Sequence, residues 1–205
     1  MELKNKPHTK GSKQLFKNPI LEKMTRTHIS IPLILFGGVA ATLIIYGLNQ
    51  GYINSINTPL LFIGGLLTFT FIEYLMHRFV FHLHPKNEKQ EKFAYVVHGV
   101  HHDYPKDKDR LAMPPYLSLL LSAGFFFLFK LIMGNLAYAF LPGFVVGYAA
   151  YLWVHYMVHA FQPPKNFFKV FWVHHGIHHY KDPENAFGVS SPFWDVIFGT
   201  MPKKH

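Results

Sequence analysis

The chain has 205 residues, half of them hydrophobic and only 15% charged, a balance too apolar for an ordinary soluble domain. Lysine and arginine number 20 against 11 acids, a formal net charge of +9, but these bases flank the apolar runs, which points to a membrane-spanning chain and not to a nucleic-acid surface. Cysteine is absent, which excludes disulfides, thiolate metal sites and cysteine nucleophiles, so any metal must be held by nitrogen or oxygen.

Residues 1–28 carry Lys4, Lys6, Lys10, Lys13, Lys17, Lys23 and Arg26 and show no apolar period, which predicts a basic cytoplasmic tail. They also lack the apolar core and small-residue cleavage site of a removable signal peptide. Residues 29–205 are read as one membrane domain. Apolar runs near 29–48, 58–76, 115–133 and 136–158 each approach the ~20 residues a helix needs to cross hydrocarbon. Gly134 and Asn135 between the last two runs predict a tight helical hairpin. Only Glu73 places an acid within these runs, and Lys130 is the one base outside the flanking segments. Short basic loops stay cytoplasmic, so the tail and the segments 77–113 and 159–205 are expected on the cytoplasmic face, with both termini inside.

Ten of the 15 histidines fall in four clusters at or beyond the cytoplasmic ends of the second and fourth runs. The second run ends in His77-Arg-Phe-Val-Phe-His82, followed by His98-Gly-Val-His101-His102; the fourth ends in His155-Tyr-Met-Val-His159, followed by His175-Gly-Ile-His178-His179. The order repeats, so each half reads as a hairpin with a histidine cap, with one metal per half or a symmetric pair. Helical spacings of three and four put His98, His101 and His102 on one face, and likewise His175, His178 and His179. His155 and His159 are one turn apart, whereas His77 and His82 need a bent or terminal turn. His8, His28 and His205 are read as surface residues, and His84 and His174 as neighbours of the clusters outside the repeated spacing.

Imidazole suits iron, copper, nickel and zinc, and ten rings suffice for two ions. A structural zinc site, a hydrolytic centre and an oxygen-activating centre all fit this donor type. Hydrolysis usually needs an acidic base beside the metal, and neither His-Glu-x-x-His nor Gly-x-Ser-x-Gly occurs here. A site just beneath the bilayer favours a lipid whose tail stays among apolar helices, and attack on its unactivated C–H bonds calls for oxidised iron with oxygen.

Three further strings complete a recognisable pattern: His102-Asp-Tyr-Pro105-Lys-Asp107, Asp109-Arg110-Leu-Ala-Met113-Pro114-Pro115, and Phe187-Gly-Val-Ser190-Ser-Pro-Phe193-Trp194-Asp195-Val-Ile-Phe198-Gly199-Thr200. With the four histidine clusters they closely resemble the fatty acid 2-hydroxylase branch of the fatty acid hydroxylase and sterol desaturase superfamily, from about the second run to the C-terminus. The resemblance implies an all-α integral membrane protein, four transmembrane helices capped by a cytoplasmic histidine-rich dome. It also implies a dimetal centre, O2 as oxidant and hydroxylation at C2 of a fatty acyl chain. Iron is expected in the active form, with zinc a possible occupant after purification.

Two departures stand out. Many eukaryotic members carry a fused cytochrome b5 domain, which the 28-residue tail cannot contain, so a separate electron donor such as a cytochrome b5 or ferredoxin system is expected, and a bacterial inner membrane is favoured over endoplasmic reticulum. Ala160 follows His159 where some members have another histidine. Glu73, one turn before His77, is a candidate to hydrogen-bond a ligand imidazole, and Asp195 to orient a C-terminal histidine, with Phe193 and Trp194 sealing the dome against the membrane. Tyr180, Asn185 and Asp107 are candidates for polar contacts to a head group or ligand, or for turn and cap roles. The rival readings are a histidine-box oxygenase acting on a sterol or carotenoid, and a non-enzymatic membrane zinc-binding protein.

Overall fold

A computed structural model describes residues 7–202, all of whose regular elements are helical. His205, Lys4 and Lys6 lie outside the described residues. The long elements are α2 (Ser30–Asn49), α3 (Asn57–Leu75), α6 (Pro115–Met133) and α7 (Ala137–Ala160), with bounds within two residues of those expected from the apolar runs. Short helices carry the rest: α1 (Pro19–Met24), α4 (Glu88–Ala94), α5 (Val100–Asp103), α8 (Lys169–Tyr180) and α9 (Phe193–Ile197). Three helical stretches are long and apolar enough to cross a membrane: Ser30–Asn49, Asn57–Phe81 and Lys108–Ala160. The third holds both α6 and α7, which fold back on each other at Gly134, whose positive φ of 59° suits a glycine.

α7 is the central helix, in contact with α2, α3 and α6. Phe36 and Ala40 of α2, Phe69 of α3, Phe129 of α6 and Leu141, Phe144 and Val145 of α7 form one buried core. Large apolar side chains elsewhere face outward, with Ile34 76%, Leu60 74%, Phe127 71% and Leu131 85% exposed. Helices apolar on every side are stable with lipid as their outer solvent, not water. Between α3 and α7 the backbones nearly touch. A Cβ built on Gly143 would lie 1.8 Å from the Phe62 carbonyl oxygen, and one on Gly65 2.0 Å from that of Phe140. Small residues let helices approach this closely, which matters in lipid because van der Waals contact, not water exclusion, drives their association.

The hairpin end of the bundle carries Lys130, which donates to the Asn135 side chain and lies 4.7 Å from the Tyr138 ring centroid and 5.3 Å from that of Tyr52. A lysine reaching along its stem to a tyrosine belt is the arrangement expected at a membrane interface. The opposite end carries all the histidine clusters. There residues 7–28 pack on the segment after His102. His8 N–H donates to the Asp103 carbonyl (2.7 Å), Ser12 to Asp107, and Thr27 N–H to the Asp109 carbonyl (2.8 Å). α1 is capped by Asn18 and tethered through Glu22, which pairs with Arg110; Arg110 in turn donates to the Lys13 carbonyl (2.9 Å). Backbone hydrogen bonds and the Glu22–Arg110 pair dock this segment.

Candidate metal centre

Each histidine cluster is placed by the helix that bears it. α3 does not stop at Leu75 but widens into a π turn, Met76–Phe81, closed by a bond from the His82 N–H to the His77 carbonyl (3.1 Å). A π turn brings residues five apart onto one face, which is how the His77 and His82 spacing works. His155 and His159, four apart, need no such distortion and sit on regular α7. His98 lies in a second π turn, Tyr95–Gly99, which leads into α5 with His101 and His102; His175, His178 and His179 lie on α8.

The ten rings assemble into two groups of five. The first holds His77, His82, His98, His102 and His178, and the second His101, His155, His159, His175 and His179. In each group one nitrogen from every ring lies within 4.8 Å of all the others. The expectation that His98, His101 and His102 converge is therefore corrected. Residues four apart stay together, His98 with His102 and His175 with His179, while His101 and His178 each cross to the other group. Adjacent positions on a helix are about 100° apart, so neighbouring His101 and His102 aim at different points. The groups abut, with the His102 and His179 rings stacked at 4.2 Å between centroids.

The donor set fits a pair of first-row metal ions. Within the first group the Nε2 atoms of His77 and His98 are 3.0 Å apart, those of His98 and His102 3.1 Å, and those of His82 and His178 2.9 Å. The second group repeats this, with 2.9 Å for His101 and His155, 2.9 Å for His159 and His175, and 3.0 Å for His175 and His179. Donors about 2.1 Å from one ion lie about 3.0 Å apart at right angles and about 3.4 Å apart at tetrahedral angles, so these close pairs stand at the separation of donors sharing one ion, and five rings per group exceed the four of a closed tetrahedral zinc site. The charge state fits as well. Burial first, and then the surrounding imidazoles, holds His98, His101, His175, His178 and His179 far below the usual histidine range and puts His102 at about 3. These rings are neutral near pH 7, with lone pairs free for a cation.

The other singled-out residues divide. Glu73 does not reach an imidazole: it accepts from the N–H groups of Val189 and Ser190 (2.9 Å each) and from the Ser190 hydroxyl. Asp195 bonds a histidine, but it is His174 (2.9 Å), which belongs to neither group. Burial pushes the Asp195 carboxyl up, yet hydrogen bonds from His174, Thr200 and Gly188 outweigh it and hold it below its ordinary range. Trp194 donates to Thr70 (3.1 Å) and lies against Phe71, binding the C-terminal segment to α3. Tyr180 is half-exposed beside an opening of about 280 Å³ that it shares with Lys106, Trp172, His159 and His175. Asp107 pairs with Arg110 and Ser12, and the Asn185 side chain donates to Asp182 (2.9 Å). His84 is exposed and faces Glu184 at 3.5 Å; His28 is exposed and bonds Ser30.

Backbone groups invisible to motif reading also matter. The Nδ1 atoms of His77 and His178 lie 2.5 Å and 2.8 Å from the carbonyl oxygens of Phe187 and Asn185, which fix both rings in the tautomer that directs Nε2 inward. Any residue type has a carbonyl, so no sequence signal marks these two.

Two further cavities lead to the groups. One of about 270 Å³ lies between α3, α6 and α7, lined by apolar side chains such as Ile72, Phe125 and Phe144, and reaches His77. The other, about 290 Å³, lies under Leu15, Phe16 and Arg110 and reaches His98, His101 and His155. Phe81, Met113, Tyr148 and Tyr151 line both.

The profile of the fatty acid hydroxylase family matches residues 62–200. The chain is 34% identical over 139 residues to the dihydroceramide fatty acyl 2-hydroxylase of Arabidopsis thaliana, covering 67% of this chain and 59% of the relative. It is 36% identical over 197 residues to the ceramide very long chain fatty acid hydroxylase of Saccharomyces cerevisiae, covering 93% and 50%, and 34% identical over 154 residues to the human fatty acid 2-hydroxylase, covering 71% and 41%. It thus spans about half to three-fifths of the plant and yeast relatives. A solved structure described as full-length Scs7p with only its hydroxylase domain visible aligns with a TM-score of 0.85 at 36% identity, over 95% of this chain and 74% of that one. These relatives are eukaryotic, which gives the expected bacterial inner membrane no support; that expectation rests on chain length, and length does not fix cellular source.

Proposed function

The chain belongs to the fatty acid hydroxylase family, and on that premise we propose that it is a membrane monooxygenase that hydroxylates C2 of a fatty acyl chain. The acyl group is a free fatty acid, a thioester or the N-acyl group of a sphingolipid, and the names of the plant and yeast relatives favour the last. The observation that carries this reading is the pair of five-histidine groups facing cavities lined from the apolar helices. The ten histidines would hold two metal ions, iron in the active form and zinc as a possible occupant on purification. When bound, such a pair supplies the oxidising power that an unactivated C–H bond requires, with O2 as co-substrate. One oxygen atom enters the C2–H bond and the other leaves as water, which takes two protons from solvent and two electrons, delivered singly, from a separate donor such as a cytochrome b5 or ferredoxin system.

The protein's own contribution is placement. The apolar cavity between α3, α6 and α7 would receive the acyl tail, and the cavity beneath Leu15 and Arg110 the polar head. Phe81, Met113, Tyr148 and Tyr151, common to both, would fix which carbon stands beside the histidines, and a carbon held there gains the rate advantage of orientation. In this proposal α2, α3, α6 and α7 each cross the bilayer, and both termini and the histidine dome face the cytoplasm, as the basic flanks favour.

Lipid mass spectrometry of cells expressing the intact protein or His101→Ala tests the reading. Intact protein should add 2-hydroxy acyl lipids and His101→Ala none; hydroxylated sterol or carotenoid products, or equal 2-hydroxylation in both, would defeat it.

A further inference from the structure

The loop between α8 and α9 passes directly over the first histidine group. Within it the Asn185 carbonyl accepts from His178 Nδ1 and the Phe187 carbonyl from His77 Nδ1, while the Phe187 ring packs 5.5 Å from that of His82. Ala186 between them is fully buried with a φ of 60°, a left-handed conformation rare for a residue with a side chain. A loop so bent keeps its shape only if its surroundings impose it.

Two buried carboxylates do so. Asp195 Oδ1 accepts from Phe187 N–H (2.9 Å) and the Thr200 hydroxyl (2.7 Å), and Oδ2 from Gly188 N–H (2.8 Å) and His174 (2.9 Å). A Cβ on Gly188 would meet Ser191 O at 2.1 Å, so only glycine admits this approach. Glu73, from the end of α3, takes the next two N–H groups, those of Val189 and Ser190. Four successive N–H groups, 187 to 190, thus end on carboxylate oxygen. Among the described residues no loop atom from 185 to 190 hydrogen-bonds to a ring of the second group.

We infer that Glu73 and Asp195 are positioning residues for the first histidine group alone, acting through the backbone carbonyls of Asn185 and Phe187. This rests on the metal reading proposed above. The loop is a clamp: the carboxylates fix the N–H side, and the carbonyl side fixes His77 and His178. Loss of the clamp frees two of five rings in one group and none in the other.

The two acids respond differently to their amides. In Glu73→Gln one oxygen still accepts from both N–H groups, and the new amide N–H faces the Ser190 hydroxyl, which can accept it. In Asp195→Asn either orientation turns the amide N–H2 against a backbone N–H, that of Phe187 or of Gly188. The test is zinc content per chain, by elemental analysis of the purified full chain loaded with zinc and dialysed. Wild type and Glu73→Gln should retain two ions; Glu73→Ala and Asp195→Asn should retain one. Adding His178→Ala to Glu73→Ala should cost nothing more, whereas adding His175→Ala should remove the remaining ion. Should Glu73→Ala not fold, Ser190→Ala removes one contact more gently, and one of its two ions should leave to a chelator about tenfold faster or more, as outer-shell losses usually produce. Retention of both ions in Glu73→Ala, equal loss in Glu73→Gln, or release of both ions together from Ser190→Ala overturns the inference. A wild type that binds no zinc overturns the metal reading and this inference with it.

Discussion

His101 and His178 each stand beside a histidine that serves the other group, and this crossing ties the two halves of the chain together. The consequence is testable in pairs. His101→Ala and His175→Ala lie in different halves but remove donors from the same group, so the double variant should still hold one ion per chain. His178→Ala with His175→Ala touches both groups and should hold none. Each single variant should weaken zinc binding by more than the about 10–100-fold typical of outer-shell changes, read by competition with a chelator. The positions of all ten rings were legible in the sequence because the spacing repeats. Their partition was not, because it depends on a rotation of about 100° between neighbours in helices whose packing the sequence does not state.

At the scale of elements, the long helices were legible almost to the residue, since apolar runs of bilayer length have few alternatives. The π turn was legible only as a difficulty, a spacing of five where a helix offers three or four. Packing of α3 on α7 rests on glycine. Gly143→Ala places a methyl group against the Phe62 carbonyl and should cost about 1–3 kcal/mol or more, seen as a lower unfolding temperature in detergent; Gly124→Ala, inside α6 with nothing within 4 Å of the new Cβ, should leave that temperature the same or raise it, since alanine is the better helix former. α1 makes the opposite case, a short helix held by charge. Partial burial raises the Glu22 carboxyl, but N–H bonds from Phe16 and Leu15 and the charges of Arg110 and Arg26 outweigh it and hold it below the usual 4.5. A depressed folded value means this contribution is full above 4.5 and fades only as pH falls through the lower, folded value. Hydrogen-exchange protection over residues 12–26, taken relative to the intrinsic rate at each pH, should therefore hold down through pH 4.5 and fall below it, while Glu22→Gln should expose Lys13 and Lys17 to trypsin at neutral pH.

For the whole molecule, the dome and the bundle draw on different sources of stability. The bundle is held by α7 packed against α2, α3 and α6, and the dome by imidazoles that bring five nitrogens together without an apolar core of comparable size. Metal should thus stabilise the two parts unequally. An ion at a hundredfold its dissociation constant adds about 2.7 kcal/mol to whatever folds to bind it. Chelation should accelerate hydrogen exchange in 77–102 and 174–190 and leave α2 and the first half of α7 as they were; uniform acceleration would show that the metals hold the entire fold.

Composition and spacing alone establish that the chain is apolar enough to span a membrane, where its long helices run, that its donors are all nitrogen or oxygen, and that ten histidines gather at one end. Each of these follows from composition or short-range spacing, which local physics reads directly. The folded chain alone reveals which histidines share a group, that Glu73 and Asp195 bind loop backbone and not the clustered imidazoles, and that residues 7–28 close over a cavity. Those facts depend on contacts between residues up to 117 positions apart, and on carbonyl groups that every residue possesses, so their information lies in the path of the chain and not in its letters.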